Sequence, residues 1–199
     1  MSEENKPADK PEERPVPAAK PVAPAAPSPE PAPPPSLGTY GKMLKEKGIE
    51  CTPMALSTEV ETIEIAPAQL PAALKFLRES PQAQLDFLVT VSGVDSPDTI
   101  DSVYHLWSYT KTDELVIKVR VPKVNIPADK LPEVPSIASY WQTADWHERE
   151  TYDLVGIRYI GHRYLRRILN PWDWEGHPLR RDYKQLVDAL NDKNPESFR

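Results

Sequence analysis

From Leu37 onward the apolar positions of the chain switch between helical spacing and strand alternation. Tyr40, Met43 and Leu44 make one apolar face over Thr39 to about Lys47, and Gly48 suits the left-handed position that ends such a helix. Glu50–Leu56 and Val60–Ile65 read as short extended stretches. In the second, Ile63 and Ile65 fall on one side and Thr62 and Glu64 on the other. Pro67 fits the first turn of a second helix, in which Leu70, Ala73, Leu74 and Leu77 recur at helical spacing. Leu85–Val94 is a nearly continuous apolar and β-branched run, the pattern of a central strand buried on both faces. Val103–Tyr109 alternates, with Val103, His105, Trp107 and Tyr109 on one side. Leu115, Ile117, Val119 and Val121 alternate with Glu114, Val116, Lys118 and Arg120, and Thr110–Asp113 is short enough to close a hairpin. The order α-β-β-α-β-β-β predicts a two-layer α+β domain over residues 37–135, with helices on one face of a mixed sheet.

Pro122, Pro127, Pro132 and Pro135 then interrupt regular structure. Ser136 is expected to cap a helix over 136–156, along which Ile137, Tyr140, Trp141, Ala144, Glu148, Thr151 and Val155 keep helical spacing before Gly156 stops it. Asp145–Arg149 and Arg149–Asp153 are expected as ion pairs one turn apart. Residues 157–199 form a basic, aromatic arm. Arg158, Arg163, Arg166, Arg167, Arg180 and Arg181 meet Asp173, Glu175 and Asp182, and Pro171 and Pro178 forbid one long helix. Tyr159, Tyr164, Ile168, Leu169, Trp172 and Trp174 are too apolar for a solvated linker, so the arm must pack on something. Arginine with tryptophan and tyrosine is the composition of interface anchors, and the guanidinium fork suits carboxylates. Two other readings stay open. The arm could wrap its own domain, its arginines meeting Glu148, Glu150, Asp153 and Asp173. It could also line a groove for single-stranded nucleic acid, against which the acidic remainder of the chain weighs.

Composition narrows the function further. Of the 24 prolines in 199 residues, 12 precede Ser36. Residues 1–36 therefore read as a disordered proline- and alanine-rich head, a tether, solubility tail or docking segment, with too little apolar surface to offset the cost of ordering. It has neither the apolar centre of a secretory signal nor the acid-poor character of a transit peptide. Roughly 150 residues remain to fold, one domain's worth. A single cysteine, Cys51, excludes an internal disulfide and any thiolate-built zinc or iron–sulfur site in this chain. No apolar run approaches the length of a membrane-spanning helix. The net charge of −6 argues against a general nucleic-acid binder. His105, His147, His162 and His177 show no metal-ligand spacing, and no nucleotide-binding or nucleophile-elbow motif occurs. Glu148 and Glu150 diverge on a helix, and Cys51 has no activating neighbour. The residues themselves describe an interaction subunit without a catalytic site of its own.

The run Glu148-Arg149-Glu150-Thr151-Tyr152-Asp153-Leu154-Val155-Gly156 resembles the E-R-E-x-x-D-x-x-G signature of the C subunit of respiratory complex I, a family that includes the J subunit of the cyanobacterial and plastid NAD(P)H-quinone oxidoreductase. Gly161-His162, Leu165-Arg166-Arg167-Ile168-Leu169, Pro171 and the run Asp173-Trp174-Glu175-Gly176-His177-Pro178-Leu179-Arg180-Arg181-Asp182-Tyr183 extend the likeness. It covers about residues 38–183. Val155, Arg163 and Asn170 depart from the family's usual residues. The resemblance implies a two-layer α+β fold and a peripheral-arm subunit of a proton-translocating NAD(P)H or ferredoxin:quinone oxidoreductase. It implies no catalytic, cofactor or metal site in this chain. Iron–sulfur clusters and quinone, with FMN if the donor is NADH, would be held by partner subunits that this chain scaffolds. Partner contact would fall to Arg166, Arg167, Trp172, Asp173, Trp174, His177, Arg180, Arg181 and Tyr183, with Glu148, Arg149 and Glu150 anchoring the root of the arm. The subunit would lie peripherally on the cytoplasmic side of a plasma membrane, or the stromal or cytoplasmic side of a thylakoid membrane, touching the membrane arm indirectly and binding no nucleic acid. A homologous subunit of a membrane-bound hydrogenase and a free-standing protein adaptor are the alternatives.

Overall fold

The computed structural model describes residues 36–54, 60–127 and 129–184. The proline-rich head through residue 35, the end of the first extended stretch at 55–56 and the arm beyond 184 lie outside the described residues.

Helix α1 spans Thr39–Glu46 and buries Tyr40 and Leu44. Its first turn is capped from a distance. The Glu61 carboxylate accepts the backbone N–H groups of Tyr40 (3.0 Å) and Gly41 (2.8 Å), satisfying donors that have no partner within the helix. Strands β1 (Cys51–Pro53) and β2 (Glu61–Ile65) follow and pair antiparallel. Pro67 sits in a 3-10 turn that leads into α2 (Leu70–Glu79), where Leu70, Ala73, Leu74 and Leu77 are all fully buried.

Strands β3 (Phe87–Asp95), β4 (Thr99–Ser108) and β5 (Asp113–Pro122) complete a five-stranded sheet of order β1-β2-β5-β4-β3. Only β2 and β5 run parallel, so the sheet is mixed and the α+β architecture expected from the sequence holds. Alternation sorts the two faces. Ile63, Ile65, Tyr104, Leu106, Leu115 and Ile117 join the helices in one core, while His105, Glu64 and Arg120 lie half exposed on the other side.

Three expectations change. The run 85–94 does not lie at the sheet centre. Because β2 occupies the free side of β5, β3 keeps β4 as its one strand neighbour among the described residues, and Phe87, Val89 and Val94 remain 40–45% exposed. A continuous apolar run cannot distinguish these positions. The third helix, α3, spans Gln142–Leu154 rather than 136–156. Ser136 is held in a turn instead, its Oγ accepting from Ala138 N–H (3.2 Å) and donating to Glu148 (2.6 Å). Finally, two segments read as irregular form a small parallel sheet, β6 (Glu133–Pro135) with β7 (Arg158–Ile160). Each strand has three residues, too few to show alternation. Among the described residues no helix is long and apolar enough to cross a membrane.

Candidate functional site

The arm is organised by α3. This helix lies against β3, where Val91 N–H donates to His147 Nδ1 at 3.1 Å. Unusually for a buried surface, it hides three charged residues, Glu148, Arg149 and Asp153. Each has a different environment.

Asp153 is fully buried and gathers the arm around its carboxylate. Oδ2 accepts the successive N–H groups of Ile168 (3.0 Å), Leu169 (2.8 Å) and Asn170 (2.8 Å). Oδ1 accepts Asn170 Nδ2 (2.9 Å) and the Arg167 guanidinium (2.7 Å). Burial by itself would raise its pKa. The Asn170 N–H, the Arg167 and Asn170 side chains and the Leu169 N–H more than offset this and hold the carboxyl well below the usual carboxylate range. The expected Arg149–Asp153 pair is therefore replaced by one that reaches across the chain. A carboxylate surrounded by oriented N–H groups favours this longer-range partner over an exposed turn-to-turn pair.

The helix end holds the rest of the arm. The last carbonyls of an α-helix have no partner within it. Here His177 Nδ1 donates to Asp153 O (3.0 Å), Leu179 N–H to Leu154 O (2.9 Å), and Arg180 to Val155 O (2.7 Å) and Gly156 O (3.1 Å). Arg180 thus adds positive charge at the negative end of the helix. Gly156, at φ +77°, makes the turn that exposes these carbonyls. Burial lowers the His177 pKa, and the nearby Arg180 and Arg167 charges add to this against the pull of Asp153, which favours the uncharged ring. At the start of the arm His162 has no exposed side-chain surface. Its Nδ1 accepts Tyr164 N–H (3.0 Å), which leaves Nε2–H to donate toward Asp145, whose backbone O lies at 3.1 Å and Oδ1 at 3.3 Å. At the far end Arg181 N–H donates to Asp95 (2.7 Å), which also pairs with Lys123 (2.5 Å).

Glu148 holds a different segment. It is fully buried and accepts Ser136 Oγ–H (2.6 Å) and Ile137 N–H (2.7 Å), fixing the turn before α3 rather than the arm. Burial pushes its pKa up to about 7, with Asp145 adding to the rise and the two hydrogen bonds opposing it. One turn on, Thr151 Oγ1 and Ser102 Oγ each lie 2.9 Å from Tyr159 OH, joining α3, β4 and β7. Glu150 is exposed.

The other interface candidates separate into two groups. Arg167, His177 and Arg180 turn inward onto α3, and Arg167 also donates to Gly176 O (2.9 Å). Arg166, Trp172, Asp173 and Arg181 face outward, with Trp172 91% exposed. Trp174 and Tyr183 are half buried. Tyr164, Leu169 and Leu179 extend the exposed apolar surface, each more than half exposed. Among the described residues the Arg167–Asp153 pair is the one ion pair that the own-domain reading of the arm anticipates. Asn170 and His162 also organise the arm, yet they fall outside the interface and anchoring residues expected from the sequence, because their partners on α3 lie 17 positions away, beyond any helical or strand period. Cys51 is buried with its thiol pKa pushed up by that burial, and among the described residues no group of three His, Cys, Asp or Glu converges.

Residues 63–187 match the model of the family described as "Respiratory-chain NADH dehydrogenase, 30 Kd subunit". The chain belongs to this family. The match begins inside β2 and runs through the arm, so it includes α3 and every arm group bound to it. The C subunit of NADH-quinone oxidoreductase from Roseiflexus sp. is 40% identical over 124 residues, which make up 61% of this chain and 68% of that protein. The protein of the same name from Mycolicibacterium smegmatis is 42% identical over 126 residues, and here the chain spans only half of its relative's length. Among solved structures, a chain of the membrane-bound sulfane sulfur reductase, an archaeal respiratory membrane complex, superposes with a TM-score of 0.60 at 21% identity, covering 76% of this chain and 88% of that one. At that identity the likeness is one of fold.

Proposed function

We propose that this chain is a non-catalytic peripheral-arm subunit of a proton-translocating NAD(P)H or ferredoxin:quinone oxidoreductase. In this reading it scaffolds the quinone-site and iron–sulfur subunits. Electrons pass from the donor through clusters held by those partners, with FMN if the donor is NADH, and this chain binds neither cluster nor quinone. It sits peripherally on the membrane through the assembly, on the cytoplasmic or stromal side.

The observation that carries the reading is the contrast between the two sides of the arm. Its inner side is tied to α3 through Asp153 and the helix-end carbonyls. Its outer side leaves Trp172, Leu169, Tyr164 and Leu179 exposed. Ordering a loop on binding costs affinity, so an arm already held in one conformation by its own domain is suited to permanent docking. Exposed tryptophan and tyrosine beside arginine form the kind of surface that becomes an interface core.

The test is gentle detergent extraction of source membranes, native separation and mass spectrometry of each band containing the chain. Recovery in one large particle with iron–sulfur subunits and quinone-reductase activity is expected. Co-purifying nickel and hydrogen uptake would redirect the assignment to a hydrogenase relative. Recovery only as a small species would favour the free-standing adaptor.

A further inference from the structure

Arg149 is only 7% exposed, yet among the described residues no carboxylate lies within ion-pair distance of it. The two acids one helical turn away are engaged elsewhere, Asp145 with His162 and Asp153 with Arg167. Arg149 Nε donates to the backbone carbonyl of Arg166 at 3.4 Å, and its guanidinium carbon lies 5.2 Å from the Trp146 ring centroid. A carbonyl dipole and an aromatic face supply only part of a counter-charge. A guanidinium withdrawn from water calls for an anion.

The space for one adjoins it. Arg149 lines an open cleft of about 490 Å³ together with Tyr152, Leu165, Arg166, Arg167 and Trp172, and among the described residues no Asp or Glu contributes to its wall. Arg167 is already neutralised by Asp153, but Arg166 is not paired with a carboxylate among the described residues. Its guanidinium carbon stands 4.3 Å from the Tyr164 ring centroid, an arrangement that leaves its N–H groups for another acceptor. Trp172, 91% exposed, edges the cleft.

We propose that this cleft seats an aspartate or glutamate side chain of a partner protein subunit, received by Arg149 and Arg166, with Trp172 covering the residues that flank it. The proposal deepens the reading above and rests on it. The forks of two arginines suit a carboxylate and a phosphate alike, so the rim of the cleft makes the selection. The exposed indole at the rim adds a large apolar surface that a small hydrated anion would leave in water, whereas a polypeptide carrying the acid would bury it.

The test uses Arg166→Lys in the full chain, isolated in its assembled particle and treated with a water-soluble carbodiimide, which joins an amine to a carboxylate in direct contact. The expected result is one amide link from the introduced amine to an Asp or Glu of another subunit. In parallel, Arg149→Gln should lower the fraction of chain retained in the particle by about tenfold or more, with the α+β body still folded by circular dichroism. If the chain is in the particle but no link forms at position 166, or the link goes only to acids within residues 185–199 of the same chain, the proposal fails and the docking reading stands. If the unsubstituted chain is absent from any large particle, both fail.

Discussion

A Cβ atom placed on Gly156 would stand 2.4 Å from Cδ2 of the His177 imidazole. The two residues are 21 positions apart, yet one fits only because the other has no side chain. Gly156 turns the backbone out of α3, and His177 occupies the space beside that turn while donating to Asp153 O. The end of the helix and the path of the arm are thus a single packing problem.

Gly156→Ala is expected to loosen the arm from Gly176 onward. The left-handed φ of +77° costs a non-glycine residue about 1 kcal/mol or more, and the imidazole must move in addition. A total loss of about 2–3 kcal/mol should appear as a lower urea midpoint. Limited trypsin digestion should cut at Arg180 and Arg181 before it attacks the sheet.

Asp153→Asn should be more damaging than any substitution at the exposed arm positions. It leaves the Arg167 guanidinium without its counter-charge and turns an amide N–H₂ toward groups that are themselves donors. Removing one partner of a buried pair costs about 3 kcal/mol or more. Arg167→Glu should act in the same direction, since it places two carboxylates together, whereas Arg166→Glu should leave the unfolding free energy within about 0.5 kcal/mol of the parent. Chemical denaturation of the four proteins side by side checks the order.

Glu148 and Asp153 impose opposite pH dependences. The folded pKa of Glu148, about 7, lies above its ordinary 4.5, so the folded state binds this proton more tightly. Its contribution is fully present below about pH 4.5 and is lost as pH rises through 7, a change of about 3 kcal/mol. Asp153 has a depressed folded pKa, so its contribution is present above its ordinary 3.8 and falls away in acid. Stability should therefore peak in the weakly acidic range. Glu148→Gln should flatten the decline between about pH 5 and 8, because its Oε1 can accept Ile137 N–H while the Ser136 hydroxyl turns to accept from Nε2. Urea unfolding at half-unit pH steps would decide this; an unchanged slope would assign the decline to other groups.

Trp172→Ala should separate folding from docking. The side chain is 91% exposed, so its removal should change the unfolding free energy by less than about 0.5 kcal/mol. If the indole is an interface anchor, its loss should weaken incorporation into the native particle by about 2 kcal/mol, roughly thirtyfold. Co-migration at graded detergent and salt concentrations measures it.

Local patterns along the chain determined the core. The spacing of Leu70, Ala73, Leu74 and Leu77, and the alternation of Leu115, Ile117 and Val119, already specify which sides are buried, because helix and strand periods are properties of neighbouring residues. The arm's composition likewise announced packing on something. Only the tertiary structure decided what each charge does. Arg149, Arg166 and Arg167 are alike in sequence. One is buried facing a cleft, one stacks outward on Tyr164, and one neutralises Asp153. The edge position of β3 was equally hidden, since strand order depends on which strands pair with β4 and β5 across the sheet and not on the run 85–94 itself. Burial and counter-charge are set by residues distant in the chain, and no period in the sequence records them.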